Sequence, residues 1–162
     1  MDELFEKSLK KLELDKVLEL LAEQAACPAA KECCRQTVPL TDADEIRTLQ
    51  EQTSAACKLI SLKGTPGLAG AWDVGASLAR AQRGGVLSAE ELLQIGGVLK
   101  CARQVKNYAD GESVETVLDV WFFQLMANKF LEDRIFTSIL SKDEIADAAS
   151  SELASIRRKI RQ

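Results

Sequence analysis

The stretch SAEELLQIGGVLKCARQVKNY, residues 88–108, decides the fold class of this chain. It opens with a capping box, in which the Ser88 oxygen accepts a backbone proton and Glu91 accepts one from the serine amide. Apolar residues then recur every three or four positions in two stripes. These are Leu92, Ile95, Leu99 and Ala102 in one stripe, and Val98, Cys101, Val105 and Tyr108 in the other. Because a helix that is apolar on two sides lies between neighbours, we predict a central helix that runs to about Tyr108.

Two glycines, Gly96-Gly97, interrupt this predicted helix. Each glycine destabilises a helix interior by about 1 kcal/mol relative to alanine. We expect the close approach of another helix to offset that cost.

Helical periodicity continues on both sides of this stretch, whereas period-two alternation is nearly absent. On the N-terminal side, an apolar stripe covers residues 14–25, and Pro28 begins a second helix that runs to about Arg35. Thr41 and Asp42 are placed to cap a long helix, which Gly64 ends.

The remaining elements are also predicted to be helical. Asp73 caps a short helix, residues 114–125 follow helical offsets, and a break is expected near Asn128. Residues 142–149 are polar and typical of a turn, and the last helix begins at Ser150, with an apolar seam suited to a coiled coil. The fold class is therefore predicted to be all-α, a multi-helix bundle.

Composition limits the class of protein further. The chain has 162 residues, of which 46% are hydrophobic, and its net charge of −4 disfavours nucleic acid and anionic lipid over the surface as a whole. Charges occur throughout residues 1–25, and no apolar run approaches the roughly 20 residues that cross a bilayer. We therefore expect a cytoplasmic protein without a membrane partner.

Histidine is absent, which removes Ser-His-Asp and Cys-His catalysis and His-ligated zinc. The five cysteines form no Cys-x-x-Cys pair, so we interpret them as small buried hydrophobic residues in a reducing compartment. The glycine-rich loop 64–70 lacks the lysine of a phosphate-binding loop and is predicted to be a connector. Acidic clusters at residues 42–45 and 143–147 suit helix capping and a turn. We predict no catalytic, cofactor-binding or metal-binding residue in this chain.

Two short runs of residues each allow two interpretations of their role. The aromatic run Trp121-Phe122-Phe123 favours core packing, with partner docking as the alternative. A basic run lies on the last helix and is either a solvated face or a contact for nucleic-acid phosphate. Its members are Arg157, Arg158, Lys159 and Arg161. This helix has no stop signal before Gln162, so we expect the natural chain to continue.

Three stretches together resemble the N-terminal region of the second-type bacterial MutS proteins. Residues 12–21, LELDKVLELL, are similar to that family's "LEFDKILELL". The second stretch covers residues 59–95, in which LKG at 62–64, WDV at 72–74 and GGVLSAEELL at 84–93 resemble "LKG", "IHDI" and "GGVLSPEELL". Residues 144–160, EIADAASSELASIRRKI, resemble part of "DGEVLDSASPELASIRRQI". Asp143 and Ser151 replace a glycine and a proline of that last motif; aspartate tolerates a turn and serine caps a helix, so both features are expected to survive.

The resemblance implies a helical core, or lever, over residues 1–141, followed by a turn and the beginning of a clamp helix over residues 142–162. It also implies a larger cytosolic homodimer with an ABC-type ATPase that uses ATP and Mg and a C-terminal Smr endonuclease, both outside this chain. Such proteins bind DNA and restrain recombination, and some act on collided ribosomes. The implied partners are the ATPase and clamp regions of the same chain and DNA or the ribosome. The alternative is a stand-alone helical module that binds another protein through an apolar face.

Overall fold

The computed structural model describes residues 3–110 and 116–161, with side chains described from Lys7 onward. This part of the chain contains nine α-helices, one small antiparallel sheet and one 3-10 turn, which confirms the predicted all-α class. Gly111 and Val114, which carry a predicted turn and the start of a predicted stripe, lie outside the described residues.

The helices are α1 Glu3–Lys11, α2 Leu14–Glu23, α3 Pro28–Arg35, α4 Ala43–Lys63, α5 Gly75–Gln82, α6 Ala89–Ala109, α7 Asp119–Gln124, α8 Lys129–Ser138 and α9 Ser151–Ile160. The strands are β1 Ile139–Ser141 and β2 Glu144–Ile145, and the 3-10 turn is Asp147–Ala149.

Two compact units form, and their division falls within α4. Unit 1 is Met1–Ser54 and unit 2 is Ala55–Gln162. The functional boundary between a core of residues 1–141 and a clamp start at residues 142–162 stays a prediction.

Unit 1 is built from α1, α2, α3 and the first part of α4. A left-handed backbone at Glu13, with φ 54°, separates α1 from α2. Arg35 of α3 donates two hydrogen bonds to Glu19 of α2, at 2.9 and 2.8 Å. Ala22 of α2 is fully enclosed, whereas Leu21 is 48% exposed, so the predicted apolar stripe of α2 is only partly covered in this unit.

The termini of α4 follow their sequence signals. One oxygen of Asp42 accepts the amide protons of Asp44 and Glu45, at 3.0 and 2.9 Å, and so caps the helix. At the other end, Gly64 adopts a φ of 77°, a left-handed conformation that costs glycine little, and the helix stops there. Both predictions are confirmed.

Unit 2 is organised around α6. Its buried side chains include Ile95, Cys101 and Val105, and it packs against α7, α8 and β1. The capping box predicted from the sequence is present, since the Glu91 amide donates to Ser88 Oγ at 3.3 Å and the Ser88 amide donates to Glu91 Oε2 at 2.8 Å. The central helix is therefore confirmed.

A hairpin follows α8 where only a turn was predicted. β1 and β2 are antiparallel and pair Ile139 with Ile145. The amide of Ala146 then donates to the Ser138 carbonyl at 2.9 Å, which closes the turn against the end of α8. Strands of three and two residues are too short to show an alternating pattern, so the sequence did not reveal them.

Candidate functional site

The glycine pair of α6 lies where other chain segments approach the helix closely. A β-carbon on Gly96 would be 3.1 Å from Ile135 Cγ2, a buried atom of α8. On Gly97 it would be 3.4 Å from Trp72 Cδ1, and one on Gly70 would be 2.8 Å from the Gly97 carbonyl oxygen. The prediction of a close helix is confirmed at Gly96, whereas the neighbour at Gly97 is the loop between α4 and α5.

A partly buried ion pair also joins α6 to α8. Arg103 donates to both oxygens of Glu132, at 2.8 and 2.7 Å. Glu132 is 3% exposed, while the Arg103 side chain is 26% exposed. The hydrogen bond from Arg103 lowers the pKa of Glu132 below its usual value, and the same bond raises the pKa of Arg103. The charge-assisted bonds thus fix the register of the two helices.

The loop from Gly64 to Gly70 is fastened to the same central helix. Lys63 Nζ donates to the Tyr108 carbonyl at 2.9 Å and lies 5.6 Å from the centre of the Tyr108 ring. The Tyr108 hydroxyl donates to the Gly64 carbonyl at 2.9 Å, and Cys101 Sγ donates to the Gly67 carbonyl at 3.4 Å. The loop is therefore the connector that its sequence predicts.

Glu91 links α5 to the start of α6. Besides the Ser88 amide, it accepts a hydrogen bond from Ser77 Oγ at 2.9 Å and pairs with Arg80. The bond from the Ser88 amide is the largest cause, ahead of Arg80 and Ser77, of a pKa lowered to about 2. Glu91 therefore both caps α6 and joins it to α5.

The four basic residues of α9 divide into two sets. Arg157 donates to the Ile145 carbonyl at 2.8 Å and pairs with Asp147, and Arg161 lies 3.5 Å from the same carboxylate. The hydrogen bond from Arg157 lowers the pKa of Asp147. Arg158 and Lys159 are exposed to solvent. The nucleic-acid role of these four residues stays a prediction.

The core-packing interpretation of the aromatic run is wrong for two of its three members. Trp121 is 52% exposed and Phe123 is 79% exposed, whereas Phe122 is half-buried. The reason is that α7 has only six residues and packs on α6, and the better-covered positions are Leu118 just before the helix and Phe122 one turn later. The neighbouring Met126 and Phe130 are also exposed, so we call Val120, Phe123, Met126 and Phe130 the α7–α8 apolar surface.

The cysteines do not share one environment. Cys101 is buried, and Cys27 and Cys34 are half-buried, as small hydrophobic residues should be. Cys33 and Cys57 are exposed, so their predicted burial is wrong, because each faces solvent from its helix. Among the described residues, no group of three cysteine, aspartate or glutamate side chains is arranged to hold a metal ion.

Two open apolar grooves occur in unit 1 and meet at Val38. One, of about 480 Å³, lies beside Leu14 and Leu18 of α2, and the other, of about 630 Å³, lies beside Ile46 and Leu49 of α4. Four aliphatic side chains line each groove, and polar or charged residues complete the lining. Within residues 3–110 and 116–161, no helix is both long enough and apolar enough to cross a membrane.

Known proteins match the sequence over nearly its whole length. A protein from Acetivibrio thermocellus with the name endonuclease MutS2 is 41% identical over 160 residues, which cover 96% of this chain and 20% of that protein. MutS2 endonucleases from Ruminiclostridium cellulolyticum and Clostridium beijerinckii are 38% and 37% identical, each over 97% of this chain and 20% of their own length. No protein-family model matches the sequence.

The chain spans about one fifth of the length of these relatives. The match covers nearly the whole chain, and it is consistent with the N-terminal region that the three motifs predict. By sequence, this chain is therefore homologous to the MutS2 endonucleases over that one fifth of their length.

Proposed function

We propose that the chain is a non-catalytic, helical lever of a MutS2-like protein, which passes nucleotide-driven motion from an ATPase to a clamp. The observation that carries the proposal is the fastening of α6 on two sides. The Arg103–Glu132 pair and the contact of Gly96 with Ile135 hold α8 on one side, and the loop beside Gly97 is held on the other. Helices fastened in this way move as one body, as a lever must.

In this proposal the ATP- and Mg-dependent ATPase and the Smr endonuclease belong to other parts of a larger cytoplasmic protein, a homodimer that acts on DNA or on the ribosome. Homology to proteins that carry the name endonuclease supports the nuclease part of this assignment. The α7–α8 apolar surface supports a partner that packs against the lever, because its four side chains are 63–85% exposed and apolar surface gains free energy when a partner covers it. The proposed partner is the rest of the same polypeptide.

The test is an activity measurement on the purified 162-residue chain. We expect no hydrolysis of ATP with Mg and no cleavage of linear or branched DNA, at protein concentrations where the Acetivibrio thermocellus relative is assayed as the positive control. Turnover that co-purifies with the chain and disappears when a single acidic residue of the chain is substituted would overturn the proposal.

A second proposal is that α9 contacts nucleic-acid phosphate through Arg158 and Lys159, which are exposed and adjacent. Each phosphate contact adds to the salt dependence of binding. The test is a gel shift with branched DNA and with ribosomal RNA at low and raised salt. The double variant R158Q/K159Q is expected to bind more weakly, while K58Q/K100Q, which removes two exposed charges elsewhere, is expected to bind as the wild type does. Equal binding by both variants would contradict this contact.

A further inference from the structure

Apolar packing alone does not fix the direction of α9. The helix has ten residues, and isolated helices of this length are marginal in water. Along its apolar seam, Leu153 is half-buried, but Ile156 is 47% exposed and Ile160 is 77% exposed. Contacts other than this seam must hold the helix against the rest of unit 2.

Polar contacts to the preceding turn supply that attachment. Arg157 Nη1 donates to the Ile145 carbonyl at 2.8 Å and also pairs with Asp147. One turn further along α9, Arg161 Nη2 lies 3.5 Å from the other oxygen of Asp147. One carboxylate therefore receives two arginines from the same face of the helix.

The turn that presents Asp147 is itself firmly placed. Ala146 is 8% exposed, and its amide donates to the Ser138 carbonyl at the end of α8. Ile139, at the start of the hairpin, is 8% exposed, and the 3-10 turn packs against α8. Asp147 thus belongs to the fastened body of α6 and α8.

The contact is open to water. The side chains of Asp147, Arg157 and Arg161 are 43%, 34% and 72% exposed. Ion pairs at such positions are weak and are screened by salt. A helix held mainly by solvent-accessible pairs can be released without disturbing a hydrophobic core.

We propose that Asp147 is the fixed half of a releasable clasp, with Arg157 and Arg161 as its moving half, so that α9 is held in one direction while the clasp is closed and swings when it opens. This inference rests on the proposed lever function, since the clasp is the joint between the body of the lever and α9. Arg157 and Asp147 are positioning residues in this account.

Amide hydrogen exchange on the 162-residue chain tests the clasp. The variant D147N is expected to lower the protection of the α9 amides by up to about fivefold, which is the most that an exposed ion pair usually contributes. The amides of α8 are expected to keep their protection. The matched control is D143N, which removes an exposed acid of the same turn and is expected to leave α9 unchanged.

A second pair of variants tests the moving half. R157Q is expected to act like D147N, whereas R158Q, one residue further along the helix, is expected to act like the wild type. R157K keeps the positive charge but loses the planar guanidinium group that donates several hydrogen bonds at once, so an intermediate loss of α9 protection is expected. Raising NaCl from 0.05 to 0.5 M is expected to weaken α9 protection in the wild type and much less in D147N.

The clasp is refuted if D147N and D143N give the same α9 protection, or if R157Q and R158Q do. That result would not affect the proposal that the chain is non-catalytic, because the activity assays test that proposal separately. Conversely, turnover by the purified chain would refute the lever function while the exchange data still measured the clasp.

Discussion

Replacement of Arg103 by methionine tests how the two central helices of unit 2 are held together. Methionine keeps much of the side-chain volume and removes the guanidinium, so the Glu132 carboxylate would stay in place without its partner. That carboxylate is 3% exposed. Because removal of one partner from a buried pair leaves an uncompensated charge, we expect R103M to lower the free energy of unfolding by about 3 kcal/mol.

The reciprocal change, E132L, should be milder. The Arg103 side chain is 26% exposed, and a long side chain at a partly open site can carry its charge to water. The double variant R103M/E132L should be more stable than R103M, because a pair of apolar side chains replaces the stranded charge. The order of stability is therefore predicted to be wild type and double variant above E132L, and E132L above R103M.

Chemical denaturation monitored by tryptophan fluorescence suits this measurement, since both tryptophans, Trp72 and Trp121, belong to unit 2. The control is K129M, which breaks the pair of Lys129 with Asp133 on the same helix. Those side chains are 58% and 56% exposed, so the expected loss is below about 1 kcal/mol. If R103M and K129M destabilise the protein equally, or the double variant is less stable than R103M, the reasoning is refuted.

Three further predictions follow from the same helices. The pKa of Glu132 is lowered in the folded chain, so its contribution to wild-type stability is full above its unfolded pKa and is lost as pH falls through the folded value. In R103M, burial without the guanidinium should instead raise the pKa of Glu132. Denaturation curves should therefore show a larger difference in stability between R103M and the wild type at pH 7 than at pH 4. G96A should be less stable than G97A, by about 1–2 kcal/mol in the same denaturation assay, because its β-carbon would lie 3.1 Å from buried Ile135 rather than 3.4 Å from Trp72; equal stabilities would contradict the packing argument. S88A should lower stability by about 1 kcal/mol through loss of the α6 cap, and no change in the denaturation midpoint would show that the cap is dispensable.

Local signals in the sequence predicted most of the helices. Caps such as Asp42 and Ser88, and stops such as Gly64, act within a few residues of their own position, so their effect is visible without a three-dimensional structure. The Gly96-Gly97 pair also indicated a close approach, because glycine is unfavourable in a helix unless the space is needed.

Contacts between residues far apart in the chain could not be predicted from the local sequence pattern. Nothing in the pattern around Arg103 or Glu132 indicates that these residues meet across 29 positions. Asp147 and Arg157 both stand in the third family motif, yet their contact depends on how the hairpin turns the chain back toward α9. The exposure of Trp121 was missed for the same reason, since hydrophobicity predicts burial only when a neighbouring element is present to cover the side chain.

The central claim, that α6 and α8 form one rigid body, is tested most directly by native-state hydrogen exchange on the wild-type chain. If the claim holds, the slowest amides of both helices exchange with a single opening free energy, equal to that for unfolding of unit 2, and R103M lowers the value for both helices by the same amount. The claim is contradicted if the α8 amides open at a lower free energy than those of α6, or if R103M lowers the value for one helix alone.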